Sequence, residues 1–181
     1  PRPMSHKQIQ TFFSRLSGLR ERALFSLLYR SGLRIDEALG LNIEDVNFQS
    51  RTFRVIGKGN DERVGYLSEE TAPLLKRYLR ERGRPKESPL FASRQGRLSY
   101  AMARVQFNTA AAELKDPDGS RVTIHQLRHA FGSERAGKMD ALVLRDLMGH
   151  KSIRTTLRYA EVNPERTGEV FRQFDRVAVR H

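Results

Sequence analysis

One change of period governs what this chain can fold into. From Ser5 to Leu41 apolar residues recur at helical spacing, and from Ser68 to Met148 they do so again. Between these regions Thr52–Ile56 and Arg63–Leu67 are rich in β-formers, and Gly57-Lys58-Gly59-Asn60-Asp61 joins them with the Gly, Asn and Asp content of a hairpin connection. The expected fold is therefore mainly α with a small antiparallel β-sheet, an α+β architecture in which a β insertion interrupts a helical body.

The helical parts carry their own start and stop signals. Ser5 and Gln8 have capping-box spacing, with Ile9, Phe12, Phe13 and Leu16 following at helical intervals. A second helix runs from about Leu19, with Ala23, Leu24, Leu27 and Leu28 on one face, and stops near Ser31-Gly32. Leu33 to Leu41 reads as a short helix ending at Gly40. Leu74, Leu75, Tyr78 and Leu79 mark another, reaching about Arg82. Gly83, Pro85 and Pro89 signal a loop, then Leu90-Phe91 a short buried strand. Ser99 to Leu114 is a further helix. Thr123 and Gln126 repeat the capping-box spacing ahead of a helix that Gly137 closes. Met139–Met148 ends at Gly149 as a C-cap would, and Ser152 to about Ala160 is the next helix. A helix starting at Pro164 carries an apolar stripe of Val170, Phe171, Phe174 and Val177.

Charge narrows the partner. Among 181 residues there are 33 Lys and Arg against 21 Asp and Glu, a formal net charge of +12. The basic residues are scattered rather than blocked into tails, which favours a folded basic surface facing a polyanion. With no Trp and few aromatics, duplex phosphate contact is a better expectation than single-strand stacking. There is no cysteine, so thiolate metal sites and cysteine nucleophiles are excluded, and a reducing cytoplasmic location fits. No apolar run approaches a membrane span, and no signal peptide is evident. The chain opens at Pro1 without an initiator Met, as a piece of a longer protein would.

Four places carry chemistry. Arg34 follows a helix-ending glycine, with Glu37 three residues on to orient it. Lys58 sits between glycines that let backbone approach another molecule closely. His125 and Arg128, at i and i+3, share a helical face near a helix N-terminus, where anions are favoured. His129 is expected to point elsewhere. Its HxxxH spacing with His125 lacks the Glu a zinc protease needs, so a metal is rejected. Last, the Gly149 break is expected to free the His150 side chain, and nine residues later comes Tyr159. Each taken singly reads as an ordinary surface or half-buried residue.

Taken in order, SGLRIDEALGL, GKGNDER, HQLRHAF, and LMGH followed by SIRTTLRY make the chain resemble the tyrosine recombinases, or phage-type integrases. The resemblance covers nearly the whole chain as a single catalytic domain, residues 1–181, with 164–181 as a helical tail that docks on its own domain or on a neighbouring protomer. It departs from the family's pattern between Phe131 and Gly137, where members usually carry a longer, more apolar helix. The family's N-terminal core-binding domain, which completes a clamp around DNA, is expected to lie outside this chain. The resemblance implies that Arg34 and Arg128 bind the scissile phosphate and that His125 accepts or relays the tyrosine proton. It further implies that Lys58 protonates the departing 5′ oxygen, His150 hydrogen-bonds the phosphate and Tyr159 is the nucleophile. The partners implied are double-stranded DNA and further copies of the chain in a synaptic tetramer, with no membrane, no cofactor and no metal. Two other readings stay open: nicking and resealing like a type IB topoisomerase, and a DNA-binding regulator of the same fold without catalysis.

Overall fold

The computed structural model describes residues 2–57, 62–83, 88–150 and 152–157. Helix α1 (His6–Ser14) begins as its sequence dictates: the Ser5 hydroxyl accepts from the Gln8 backbone and the Gln8 side chain reaches back to the Ser5 N–H. Helix α2 (Leu19–Ser31) is the centre of the molecule. Every residue from Ala23 to Tyr29 is buried, so α2 is enclosed on all sides rather than along the single expected face. The polar member of that run, Ser26, is satisfied by the Thr71 hydroxyl at 2.8 Å.

Around α2 pack α4 (Thr71–Arg82) and α6 (His125–Arg135), the longer helices of this layer. Helix α5 (Tyr100–Ala110), capped by Ser99, brings Phe107 to the core. There Phe12, Phe25 and Phe107 meet with ring centroids 4.8–5.8 Å apart, in edge-on and tilted arrangements that aromatic quadrupoles favour. Helix α5 stops at Ala110, short of the expected Leu114.

The β insertion has three strands in the order β1-β2-β3, all antiparallel: β1 (Val46–Asn47), β2 (Thr52–Ile56) and β3 (Glu62–Tyr66). Strand β1 is too short to leave a period in the sequence. Phe53 and Val55 of β2 face the core and pair with Gly65 and Arg63 of β3. That pairing puts Arg63 on the inner side and leaves Val64 and Tyr66 exposed. Leu90 and Phe91 are fully buried as expected but are not a strand. Pairing starts one residue later, between β4 (Ala92–Ser93) and β5 (Gly96–Arg97).

Three further elements frame one edge of the fold. Helix α3 (Ile35–Gly40) leaves α2 through Gly32, whose left-handed φ of +68° closes α2 by a Gly32 N–H bond to the Leu28 carbonyl. A side chain at Gly32 would also collide with the Phe131 ring of α6. Helix α7 (Ala141–Met148) is capped by Asp140 and ends at Gly149, again left-handed at +59°, and α8 (Ile153–Leu157) follows. Phe131, Leu144 and Met148 form a small cluster of their own that joins α7 to α6. The GSER segment after Phe131 stays helical to Arg135, and Gly137 lies beyond that end with a positive φ. Among the described residues no helix is long and apolar enough to cross a membrane.

Candidate active site

The edge where α3, α6, α7 and β3 meet collects four of the six residues singled out in the sequence. Arg34 is the N-cap of α3, a position where backbone N–H groups lack helical partners. Glu37, at the third position of that helix, accepts from the Arg34 backbone N–H at 2.8 Å and from its guanidinium at 3.1 Å. The pairing anticipated from the i, i+3 spacing is therefore present, but Glu37 has a second partner. Arg63 of β3 grips the same carboxylate with both terminal nitrogens, at 3.0 and 2.8 Å. Burial pushes the Glu37 carboxyl up, yet the Arg63 hydrogen bond, the Arg34 N–H and both positive charges outweigh it and hold the group below the usual carboxylate range.

Arg128 lies one turn into α6 and is buried at 3% exposure, deeper than the shared surface face expected from its spacing with His125. The chain around it supplies acceptors. One terminal nitrogen donates to the Gly32 carbonyl, and the other to the Met148 carbonyl at 2.6 Å. Arg34 reaches the next carbonyl along, Gly149, at 3.4 Å from each terminal nitrogen. Two guanidiniums thus converge on successive carbonyls at the C-terminus of α7, where the helix dipole is negative and cations are favoured.

His150 comes directly after those carbonyls. The left-handed Gly149 was expected to release its side chain, and the structure corrects this. His150 is buried, and its Nδ1 lies 2.9 Å from the Thr156 hydroxyl of α8. The glycine turns the chain inward, so the imidazole is fixed by a residue six positions on. Burial, reinforced by the charges of Arg128, Arg34 and Arg63, pushes its pKa down to about 4.

His125 opens α6 and keeps an exposed edge. Partial burial of its ring, with Arg128 and Arg34 nearby, lowers its pKa, so it is a neutral acceptor at neutral pH. His129 does not point elsewhere. One helical turn on, its ring meets that of His125 edge-to-face with centroids 4.6 Å apart, because i and i+4 share a face. Burial and then His125 push its pKa down to about 4. Lys58 and Tyr159, the other two candidates, lie outside the described residues, as does the helix expected from Pro164.

These histidines make stability pH-dependent with a definite sign. A neutral imidazole whose folded pKa is about 4 binds its proton more readily in the unfolded chain, where the value is near 6.5. Stability should be fully present above pH 6.5 and fall as the pH is lowered toward 4. Between pH 7 and 4.5 the melting temperature should drop by about 3–6 °C, allowing for partial solvent screening. The double variant His129→Gln, His150→Gln should flatten that slope in a thermal melt series. The lowered pKa of Glu37 acts only below the normal carboxylate range, outside this window.

Sequence reasoning missed Arg63 and Thr156. Arg63 had no clear signal, for its inward place opposite Val55 is set by the strand pairing. Thr156 had none, since a threonine in a short helix has no distinctive spacing.

Comparison with known proteins gives the family of the chain. The model of the Phage integrase family matches residues 2–166. The chain is 40% identical over 158 residues to the tyrosine recombinase XerC of Rhodospirillum centenum, covering 85% of this chain and 46% of that protein. It is 32% identical over 181 residues to the XerC of Haemophilus influenzae, covering 96% of this chain and 61% of that protein. The chain therefore spans about half to three-fifths of the length of these curated relatives. Among solved structures, the XerA recombinase superimposes with a TM-score of 0.75 at 27% identity, covering 96% of this chain and 64% of that one. The XerH site-specific recombinase bound to its difH substrate gives 0.78 at 26% identity, covering 94% and 53%. With most of its length matched by the family model, the chain belongs to the phage integrase family, the tyrosine recombinases.

Proposed function

We propose that this chain is the catalytic domain of a site-specific DNA recombinase that breaks and rejoins strands through a 3′-phosphotyrosyl intermediate. The observation that carries the reading is the convergence of Arg34 and Arg128 on the carbonyls immediately before a buried, neutral His150. Two guanidiniums that converge in this way form a receptor for a phosphodiester, and they stabilise the charge that builds on its non-bridging oxygens. Tyrosine, with a pKa near 10, needs such help at neutral pH. In the proposed step Tyr159 Oη loses its proton to neutral His125 and forms a bond to phosphorus. The bond from phosphorus to the 5′ oxygen breaks, and Lys58 protonates that oxygen. His150 donates to the phosphate from Nε2 while Thr156 holds its other nitrogen. The new ester retains the energy of the broken one, so a 5′ hydroxyl from another strand reverses the step without ATP.

Double-stranded DNA is the partner that the +12 charge and the phosphate receptor favour. XerH, a relative in fold, has been crystallised on its difH substrate in a pre-cleavage complex. The test is a duplex nicked beside the cleavage site, incubated with the full-length protein and run under denaturing conditions. A covalent protein–DNA adduct is the expected product, and its absence would remove the enzymatic reading. Joining of strands from two different duplexes then separates recombination from simple relaxation of supercoils.

The apolar stripe of Val170, Phe171, Phe174 and Val177 is part of the same proposal. It docks the tail on a neighbouring copy in a tetramer assembled on two DNA sites. Light scattering of protein–DNA complexes, with the chain ending at Pro164, should show loss of the tetramer while single-site binding persists. An unchanged tetramer would assign the tail to its own domain.

A further inference from the structure

We infer that Arg63 is a positioning residue, which holds Glu37 and through it Arg34, and so ties strand β3 to the phosphate receptor. The inference rests on the strand-cleavage reading above and deepens it.

The geometry is a shared carboxylate. Glu37 Oε1 accepts from Arg63 at 3.0 Å and from the Arg34 guanidinium at 3.1 Å. Glu37 Oε2 accepts from Arg63 at 2.8 Å and from the Arg34 backbone N–H at 2.8 Å. Each oxygen is thus bridged between the two arginines, and rotation of the carboxylate would break bonds to both. The side chains of Arg63 and Glu37 are only 16% and 8% exposed, so neither is held in place by chance on the surface. A buried ion pair of this kind contributes little net stability compared with an apolar pair of the same volume. Its use is orientation.

Arg63 is itself constrained from the other side. Its guanidinium lies against Gly149, where an added Cβ would come within 2.7 Å of Cζ and 2.9 Å of Nε. Gly149 supplies the carbonyl that Arg34 reaches and precedes His150. One planar group therefore touches the backbone that carries His150 and the carboxylate that aims Arg34. It is anchored in β3, five residues after Lys58 in sequence and paired with Val55. Lysine keeps the charge but has no fork to engage both oxygens.

The experiment is a double-mutant cycle in the full-length protein, read as the single-turnover rate of adduct formation on the nicked duplex at saturating DNA. Arg63→Lys should slow this rate about 10- to 100-fold, as misplacement of a group remote from the chemistry does. Its DNA affinity should stay within about threefold, because Arg63 itself touches no phosphate. Arg34→Lys should be slow in its own right. The double variant should be no slower than Arg34→Lys alone to within about threefold, since Arg63 acts through Arg34. Multiplicative losses, or a wild-type rate for Arg63→Lys, overturn the inference. So does a rate loss that merely follows the folded fraction in a melt of the same variant, for that is a structural role. If the wild-type protein forms no adduct, the strand-cleavage reading fails first and this inference falls with it.

Discussion

Tyr159→Phe is expected to abolish the covalent adduct, a loss of at least about 10³-fold in trapping rate, while leaving duplex binding unchanged. The substitution removes one oxygen and keeps the ring, so on the proposed mechanism it takes away the nucleophilic group alone. Binding should persist because the proposed phosphate contacts are made by Arg34, Arg128 and other basic residues rather than by the phenol. An adduct that still formed with Phe at this position would mean that another residue attacks the phosphate. A fall in affinity as large as the fall in rate would instead make Tyr159 a binding residue, and the regulator reading would gain ground.

The second large effect is at Arg128. Arg128→Ala should lower the adduct rate by at least about 10²-fold, the scale of one lost donor to a developing oxyanion. It should also destabilise the fold by about 2–5 kcal/mol, because the Gly32 and Met148 carbonyls lose their buried donors at once. The two effects are separable. Single-turnover trapping at low temperature reports the first on the folded fraction, and denaturant unfolding reports the second without DNA. Arg128→Lys should recover part of the stability and little of the rate, since an ammonium cannot span two carbonyls and also face a phosphate with a planar fork. Stability unchanged to within about 0.5 kcal/mol in Arg128→Ala would refute the view that this residue joins α2, α6 and α7.

The structural half of this expected double role accounts for the burial of Arg128. Its guanidinium closes the gap between Gly32 at the end of α2 and Met148 at the end of α7. Those helix ends offer unpaired carbonyls, and a cation there is favoured by both dipoles. The same carbonyls hold the group at a fixed place, and on the proposed mechanism this lowers the reorganisation needed when a phosphate binds.

Much of this was legible in the amino-acid order because the signals are local. The Ser5–Gln8 capping box, the left-handed glycines 32 and 149, and the β2–β3 pairing all follow from neighbours within a few residues. The order Arg34, His125, Arg128, His150 was legible too, since each lies at a helix start or stop, where motifs are short and punctuated. Two features were hidden. Alternation in Glu62–Tyr66 reads with Val64 and Tyr66 as the inner face, yet Arg63 and Gly65 face inward. The reason is tertiary: Phe53 needs the space over Gly65, and Glu37 supplies a charge partner that hydropathy cannot register. The two-residue strands were likewise too short to show a period.

By itself, the sequence determined the helices, the site of the β insertion and the identity of the residues that could handle a phosphate. Only the tertiary structure decided how those residues are held. His150 was expected to swing free and is instead buried on Thr156, because the backbone after Gly149 turns inward toward α8. Arg34 was expected to have Glu37 as a partner and instead shares it with an arginine from the sheet. Spacing along a chain reports which side chains one helix can bring together. It carries no record of which carbonyl or carboxylate another element will place opposite them.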